Sequence, residues 1–258
     1  MSAKRSRRQS PERHSELVLL HQNVRAIEEG PTRKHWTKHD IRSVRPLTDN
    51  QHEMFQQYFQ GDNLVAYGSS GTGKTFLALY LAMCDVLDGN KPQDHVMIVR
   101  SAVTTRDLGF LPGTLEEKVA LFEMPYRDIM SELFGRVSTY DNMKEANLVR
   151  FLTTSYIRGV TWDNAIIIVD EGQNMTEHEI NSVMTRVGNN SRIIFTGDLL
   201  QDDLGSGKRS EKTGMKRLLK VIKKMDEFSS VEFTTKDIVR SEFVKSWIIA
   251  NELVSTDD

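Results

Sequence analysis

From Pro46 onwards, short apolar runs alternate with amphipathic stretches, and that alternation predicts strands separated by helices. The apolar runs are residues 64–67, 96–99, 165–169, 193–195 and 231–233, and helical patterns cover 76–87, 119–133 and 176–187. The last of these opens on Thr176 with Glu179 three residues later, the spacing of a capping box. A strand that is apolar at nearly every position is covered on both faces, and strands joined through helices pair in parallel. The pattern predicts an α/β fold with a mostly parallel sheet, helices on both faces and a single core. Residues 1–45 show no sustained period beyond the patch Leu17-Val18-Leu19-Leu20, which reads as a short helix. They form an extension ahead of a domain at 46–258.

Composition narrows this picture. Of 258 residues, 38% are hydrophobic and 27% charged, a balance that excludes a fibrous or wholly disordered chain and suits one sizeable core. No apolar run approaches the roughly 20 residues that cross a bilayer, and the charged N-terminus lacks a signal-like segment, so the expectation is a cytoplasmic protein without membrane attachment. The lone cysteine, Cys84, has no disulfide partner in the chain and reads as a small buried hydrophobe. Charge is unevenly placed: residues 1–45 hold 11 Lys/Arg against 5 Asp/Glu, a net of +6 on a chain whose total is −2. Such an arm on an acidic body suits a phosphate backbone as partner, and reads equally as a solvated terminal tail, above all at Lys4 to Arg8.

The strongest chemical signal follows the first apolar run. Gly68-Ser69-Ser70-Gly71-Thr72-Gly73-Lys74-Thr75 satisfies the eight-position P-loop pattern between a strand and a helix. Glycines there let the backbone wrap closely enough to point its N–H groups at phosphates, and the helix N-terminus adds positive potential. Lys74 is placed to reach the β- and γ-phosphates of ATP, and Thr75 to ligate Mg2+. A partner carboxylate is needed at the end of a neighbouring strand, and the run at 165–169 ends in Asp170-Glu171. Asp170 is the expected metal-side group, and Glu171 the group that orients and polarises the attacking water. Together they read as an ATPase. The strand at 193–195 leads to Gly197-Asp198-Leu199-Leu200-Gln201, which makes Gln201 a candidate γ-phosphate sensor. Gln51, shortly before the P-loop strand, is a candidate reader of the adenine edge.

Seven ordered blocks carry a family resemblance: LTDNQ (47–51), GSSGTGKT (68–75), VRSAV (99–103), LGFLPGTLEEKV (108–119), DEGQNMT (170–176), TGDLLQ (196–201) and FTTKDIVRS (233–241). Across residues 46–250 the chain resembles the PhoH family of phosphate-starvation-inducible ATPases, relatives of superfamily 1 helicases. The resemblance implies a RecA-like P-loop fold, ATP hydrolysis, ring-forming homo-oligomers, a hexamer among them, and a role on RNA or single-stranded DNA. Arg240 matches the family's late arginine, which implies stabilisation of phosphoryl-transfer charge. In helicase-like cores the segment after the strand at 96–99 often meets nucleic acid, which makes Arg100, Thr104 and Arg106 candidate contacts there; the same block reads equally as a subunit interface. The chain departs from the family pattern with Ser101 after Arg100, where proline is usual, and with Gly172 in place of alanine.

Other residues read as structural. The seven histidines show no metal spacing, and Trp162, Trp247, Phe122 and Tyr126 read as packing residues, while Trp36, beside basic residues, is suited to stack on a base. Two alternatives compete with a nucleic-acid-linked ATPase. A small-molecule phosphotransferase needs an arginine-rich lid that the sequence lacks, and a nucleotide-ordered RNA-binding module without turnover has no use for the Asp170-Glu171 pair. A switch GTPase needs an Asn-Lys-x-Asp motif after the P-loop, which is absent.

Overall fold

The computed structural model describes residues 36–101, 115–157, 159–198 and 214–257, with backbone alone at 115–118 and 255–257. The patch at Leu17–Leu20, Thr104, Arg106 and Gln201 lie outside the described residues. Residues Thr37–Asp258 cluster as one compact unit.

Six strands are described: β1 (Asn63–Gly68), β2 (His95–Arg100), β3 (Val149–Thr153), β4 (Ala165–Val169), β5 (Arg192–Gly197) and β6 (Phe228–Phe233). They form one sheet in the order β3-β2-β4-β5-β1-β6, and every pairing is parallel. The α/β expectation is met. All five residues of β4 are buried, whereas the edge strands β3 and β6 alternate buried and exposed positions. That contrast is what coverage of both faces at the centre and partial coverage at the edges requires. The register aligns Val99 with Val169 and Val169 with Phe195, so β2, β4 and β5 end together at one edge of the sheet.

Seven α-helices are described: α1 (Asp49–Gln60), α2 (Lys74–Val86), α3 (Leu115–Phe134), α4 (Thr139–Glu145), α5 (Glu177–Met184), α6 (Gly214–Ile222) and α7 (Glu242–Asp257). On one face of the sheet, Ile180 and Val183 of α5 and Met215, Leu218 and Ile222 of α6 join Val99, Ile167, Val169 and Phe195 in a continuous core. On the other, α2 buries Leu77, Leu79, Leu81 and Met83, with α1 against β1 and β6 and α3 against α2. Each fully buried aliphatic side chain contributes about 1.5–3 kcal/mol to this arrangement.

Local signals set the helix ends. The Thr48 hydroxyl accepts from Gln51 N at 3.3 Å to start α1, and the capping box is formed at α5, where Thr176 and Glu179 exchange hydrogen bonds. Cys84 is buried, and burial pushes its thiol above the ordinary range, as befits a packing residue. Trp162 packs as expected at 3% exposure, but Trp247 does not: on α7 it is 66% exposed, beside Phe243 at 79%. No helix among the described residues is long and apolar enough to cross a membrane.

Candidate nucleotide site

The turn between β1 and α2 is shaped by backbone conformations that favour glycine: φ is +114° at Gly68, +71° at Gly71 and +86° at Gly73. Lys74 folds back over this loop. Its Nζ donates to Gly68 O at 2.8 Å, Ser69 O at 2.7 Å and Thr72 Oγ1 at 3.3 Å. Burial pushes the Lys74 ammonium below its ordinary range, and the field of Asp198, Glu171 and Asp170 opposes that push. The cation is thus held, largely desolvated, by two backbone carbonyls and one hydroxyl.

Asp170, at the end of β4, is 5% exposed. Its Oδ1 accepts from Thr75 Oγ1 at 2.7 Å and from Thr196 Oγ1 at 2.6 Å, and its Oδ2 accepts from Tyr126 O–H at 2.7 Å. Sequence reasoning missed Thr196, and it read Tyr126 as packing. Burial and the Asp170 charge hold the Tyr126 phenol well above its ordinary range, so it remains a donor. Thr75 and Asp170 thus set two hard oxygen donors side by side at the P-loop end of the cleft. No cluster of three His, Cys, Asp or Glu side chains suited to a metal occurs among the described residues. The Thr75 and Asp170 oxygens themselves fit Mg2+, which takes one or two protein oxygens and fills its octahedron with water and phosphate oxygens.

Glu171 adopts a left-handed conformation, φ +54° and ψ +46°, uncommon for a non-glycine residue and costing about 1–3 kcal/mol. The turn aims its side chain into the cleft. Partial burial raises the carboxyl above the ordinary range, Asp170 adds to the rise, and Arg100 and Gln173 counter it; with 41% of the side chain exposed, solvent screens these effects. Gln173, which sequence reasoning also missed, bridges two strand ends: its Nε2 donates to Glu171 Oε2 at 2.5 Å, and its Oε1 accepts from Asp198 N at 3.0 Å.

Arg100 turns inward. Its guanidinium lies 3.8 Å from Glu171 Oε1 and 5.6 Å from the centre of the Phe122 ring, and the side chain is 15% exposed. Arg100, the final residue of β2, thus lies beside the Glu171 carboxylate at the edge of the sheet that carries the P-loop. The next residue, Ser101, donates to Glu179 Oε1 at 3.0 Å, so the capping glutamate of α5 also ties down the end of β2.

Gln51 is 3% exposed, and its amide is committed to the backbone: Oε1 accepts from Leu47 N at 2.8 Å, and Nε2 donates to Thr72 O at 3.0 Å. It links the segment before α1 to the P-loop, and only its second N–H and second lone pair are left to read a base. Arg240 is exposed and packs its stem on the loop; a β-carbon built on Gly71 lies 3.1 Å from Arg240 Cγ. The neighbouring Val239 N donates to Gly71 O at 3.1 Å, and Ser69 Oγ donates to Glu252 Oε2 of α7 at 3.2 Å. The C-terminal segment therefore sheathes the outer side of the P-loop.

A cleft of about 680 Å3 joins these groups, running along the P-loop from Asp170, Glu171 and Asp198 to Gln51, Leu47 and Arg240, with Pro125 and Ile129 of α3 on its wall. Its size and mixed lining suit a nucleoside triphosphate.

A family model described as PhoH-like protein matches residues 43–252. The PhoH-like protein of Bacillus subtilis (strain 168) is 34% identical over 210 residues, 81% of this chain and 64% of that protein. Protein PhoH of Escherichia coli (strain K12) is 32% identical over 180 residues, 69% of this chain and 49% of that protein. The chain thus spans between half and two thirds of these relatives' length. Among solved structures, the large terminase from a thermophilic bacteriophage aligns over 79% of this chain and 50% of its own, with a TM-score of 0.45 at 13% identity. Bacteroides Pif1 bound to single-stranded DNA aligns over 81% and 49%, with a TM-score of 0.36 at 14% identity.

Proposed function

Because the chain belongs to the PhoH-like protein family, we propose that it binds and hydrolyses ATP with Mg2+, and that turnover is coupled to RNA or single-stranded DNA in a cytoplasmic homo-oligomer. The observation that carries the first part is one cleft lined by Lys74, Thr75, Asp170 and Glu171. In this reading residues 46–258 are the ATPase domain and residues 1–45 a basic extension.

The chemistry divides among the residues as follows. P-loop N–H groups from Gly68 to Thr75 cradle the phosphates, and Lys74 exchanges its carbonyl partners for β- and γ-phosphate oxygens. Thr75 and the Asp170 side would hold Mg2+, which would supply charge neutralisation on the transferring phosphoryl group. Glu171 accepts a hydrogen bond from water and aligns it with the γ-phosphorus; the new P–O bond forms as the bond to the β–γ bridging oxygen breaks, and ADP leaves. Gln201 senses the γ-phosphate, and Arg240, already beside the loop, stabilises the developing charge. Gln51 fixes the loop and offers its remaining amide valences to adenine.

Support for a polyanionic partner comes from charge placement. Besides the basic extension, α6 and the turn after it expose Lys216, Arg217, Lys220, Lys223 and Lys224 at helical spacing on one side. Thr104 and Arg106 are the further proposed contacts. The test is binding and turnover of ATP by wild type, Lys74→Ala and Glu171→Gln. Expected is lost binding in the first variant, and retained binding with turnover down about 100-fold or more in the second. Normal turnover in Glu171→Gln overturns its assignment.

A further inference from the structure

The family block at 108–119 covers only the start of α3, yet further along one side of the helix touches Asp170 directly and Glu171 through Arg100. Phe122 and Tyr126 lie four residues apart and so stack on the same face of the helix. Tyr126 is fully buried and donates to Asp170 Oδ2 at 2.7 Å. One turn earlier, Phe122 faces the Arg100 guanidinium that lies 3.8 Å from Glu171 Oε1.

The two oxygens of Asp170 are therefore not equivalent. Oδ1 accepts from Thr75, which follows the P-loop lysine, and from Thr196 of β5; Oδ2 accepts from the Tyr126 phenol of α3. Turning the carboxylate about its Cβ–Cγ bond breaks hydrogen bonds at both oxygens at once. The phenol is itself fixed, since its ring is fully buried and packs on Phe151 of β3 at 5.9 Å between centres. We propose that Tyr126 is a positioning residue, which holds Asp170 with Oδ1 turned to Thr75 and excludes Oδ2 from the metal, so that α3 sets the geometry of the cleft's metal side. This rests on the reading of Asp170 as the metal-side group. Mg2+ demands near-ideal octahedral geometry, and groups that orient a metal's ligands are commonly worth about 10–100-fold in metal affinity.

The test is Mg2+ titration of a fluorescent, nonhydrolysable ATP analogue bound to the full chain, with a parallel series in EDTA and thermal unfolding of each protein. Tyr126→Phe keeps the ring and removes the hydroxyl. It is expected to bind the analogue in EDTA as wild type does, and to need about 10-fold more Mg2+ to reach the midpoint of metal-dependent tightening. Asp170→Asn is expected to lose that tightening. If Tyr126→Phe melts at a lower temperature but keeps the wild-type Mg2+ midpoint while Asp170→Asn loses the metal response, the phenol is structural and the proposal is overturned. If Asp170→Asn retains the full metal response, the reading of Asp170 falls and the proposal falls with it. Tyr126→Met, which fills the space without a hydroxyl, carries the same expectation should the phenylalanine variant not fold.

Discussion

Substituting alanine at Gly68 isolates the contact that locks the P-loop to the edge of the sheet. Gly68 closes β1 opposite Phe233 of β6, and a β-carbon built there lies 1.9 Å from the Phe233 carbonyl oxygen. Since such contacts essentially never fall under 3.0 Å, the carbonyl must retreat by roughly 1 Å. That movement costs it the hydrogen bond from Ser69 N, now 3.0 Å long. An unpaired buried backbone group costs about 1–3 kcal/mol, and alanine at φ +114° adds about 1 kcal/mol of backbone strain. Gly61 supplies the control: φ is +103°, but nothing lies within 4 Å of its built β-carbon, so Gly61→Ala incurs the strain alone. In urea unfolding, Gly68→Ala is expected to lose about 2–4 kcal/mol and Gly61→Ala about 1 kcal/mol. With slopes of about 1–3 kcal/mol per molar for small proteins, the two midpoints separate by roughly 1 M. Equal losses in the two variants refute the reasoning, because they leave no role for the Phe233 contact.

Three further outcomes follow from the geometry. Thr196→Val removes one hydroxyl from a buried carboxylate at constant volume, and chemical denaturation is expected to register a loss of about 1.5–3 kcal/mol, typical of a hydrogen bond to a charged group. Gln51→Glu keeps the acceptor for Leu47 N but sets a carboxylate against the Thr72 carbonyl; equilibrium titration is expected to show nucleotide affinity about 10-fold weaker, equivalent to about 1.4 kcal/mol. Burial works to raise the Glu179 carboxyl, but hydrogen bonds from Thr154, Thr176 and Ser101 prevail and hold it below the ordinary range. Its contribution is therefore complete above the unfolded value near 4.3, within about a unit, and is lost as pH falls through the lower folded value. Glu179→Gln is expected to flatten the acid limb of stability against pH, and an unchanged limb in a denaturation series contradicts the assignment.

Sequence legibility tracked burial and contiguity. β1, β2, β4 and β5 are readable because strands covered on both faces are apolar at almost every position, and β6 is read only over its last three residues, 231–233, where buried and exposed positions alternate; β3 is missed because exposed Arg150 interrupts its run. α1 was missed as well, since only Met54, Phe55 and Tyr58 mark its apolar face. The proposed nucleotide groups that sit within a few residues of each other, the P-loop and Asp170-Glu171, are legible as motifs, and the fold brings them to one cleft. Tyr126 and Thr196 are not, because 44 and 26 residues separate them from Asp170 and only the fold brings them to it. For Tyr126 the available signal was faint: a phenol at helical spacing on an apolar face looks like packing until a buried carboxylate is set opposite. For Arg100 the motif fixes the position at the end of β2 but not the direction of the side chain, so its approach to Glu171 and Phe122 is visible only in the fold.

The central claim is ATP turnover coupled to a nucleic-acid strand. The measurement that tests it most directly is steady-state ATP hydrolysis by wild type and Glu171→Gln, each alone, with single-stranded RNA and with single-stranded DNA, at one fixed moderate salt because phosphate contacts are salt-sensitive. Expected is turnover that requires Glu171 and rises several-fold with one of the two polymers. Turnover that requires Glu171 but is indifferent to both polymers contradicts the coupling, and turnover that persists in Glu171→Gln contradicts the site itself.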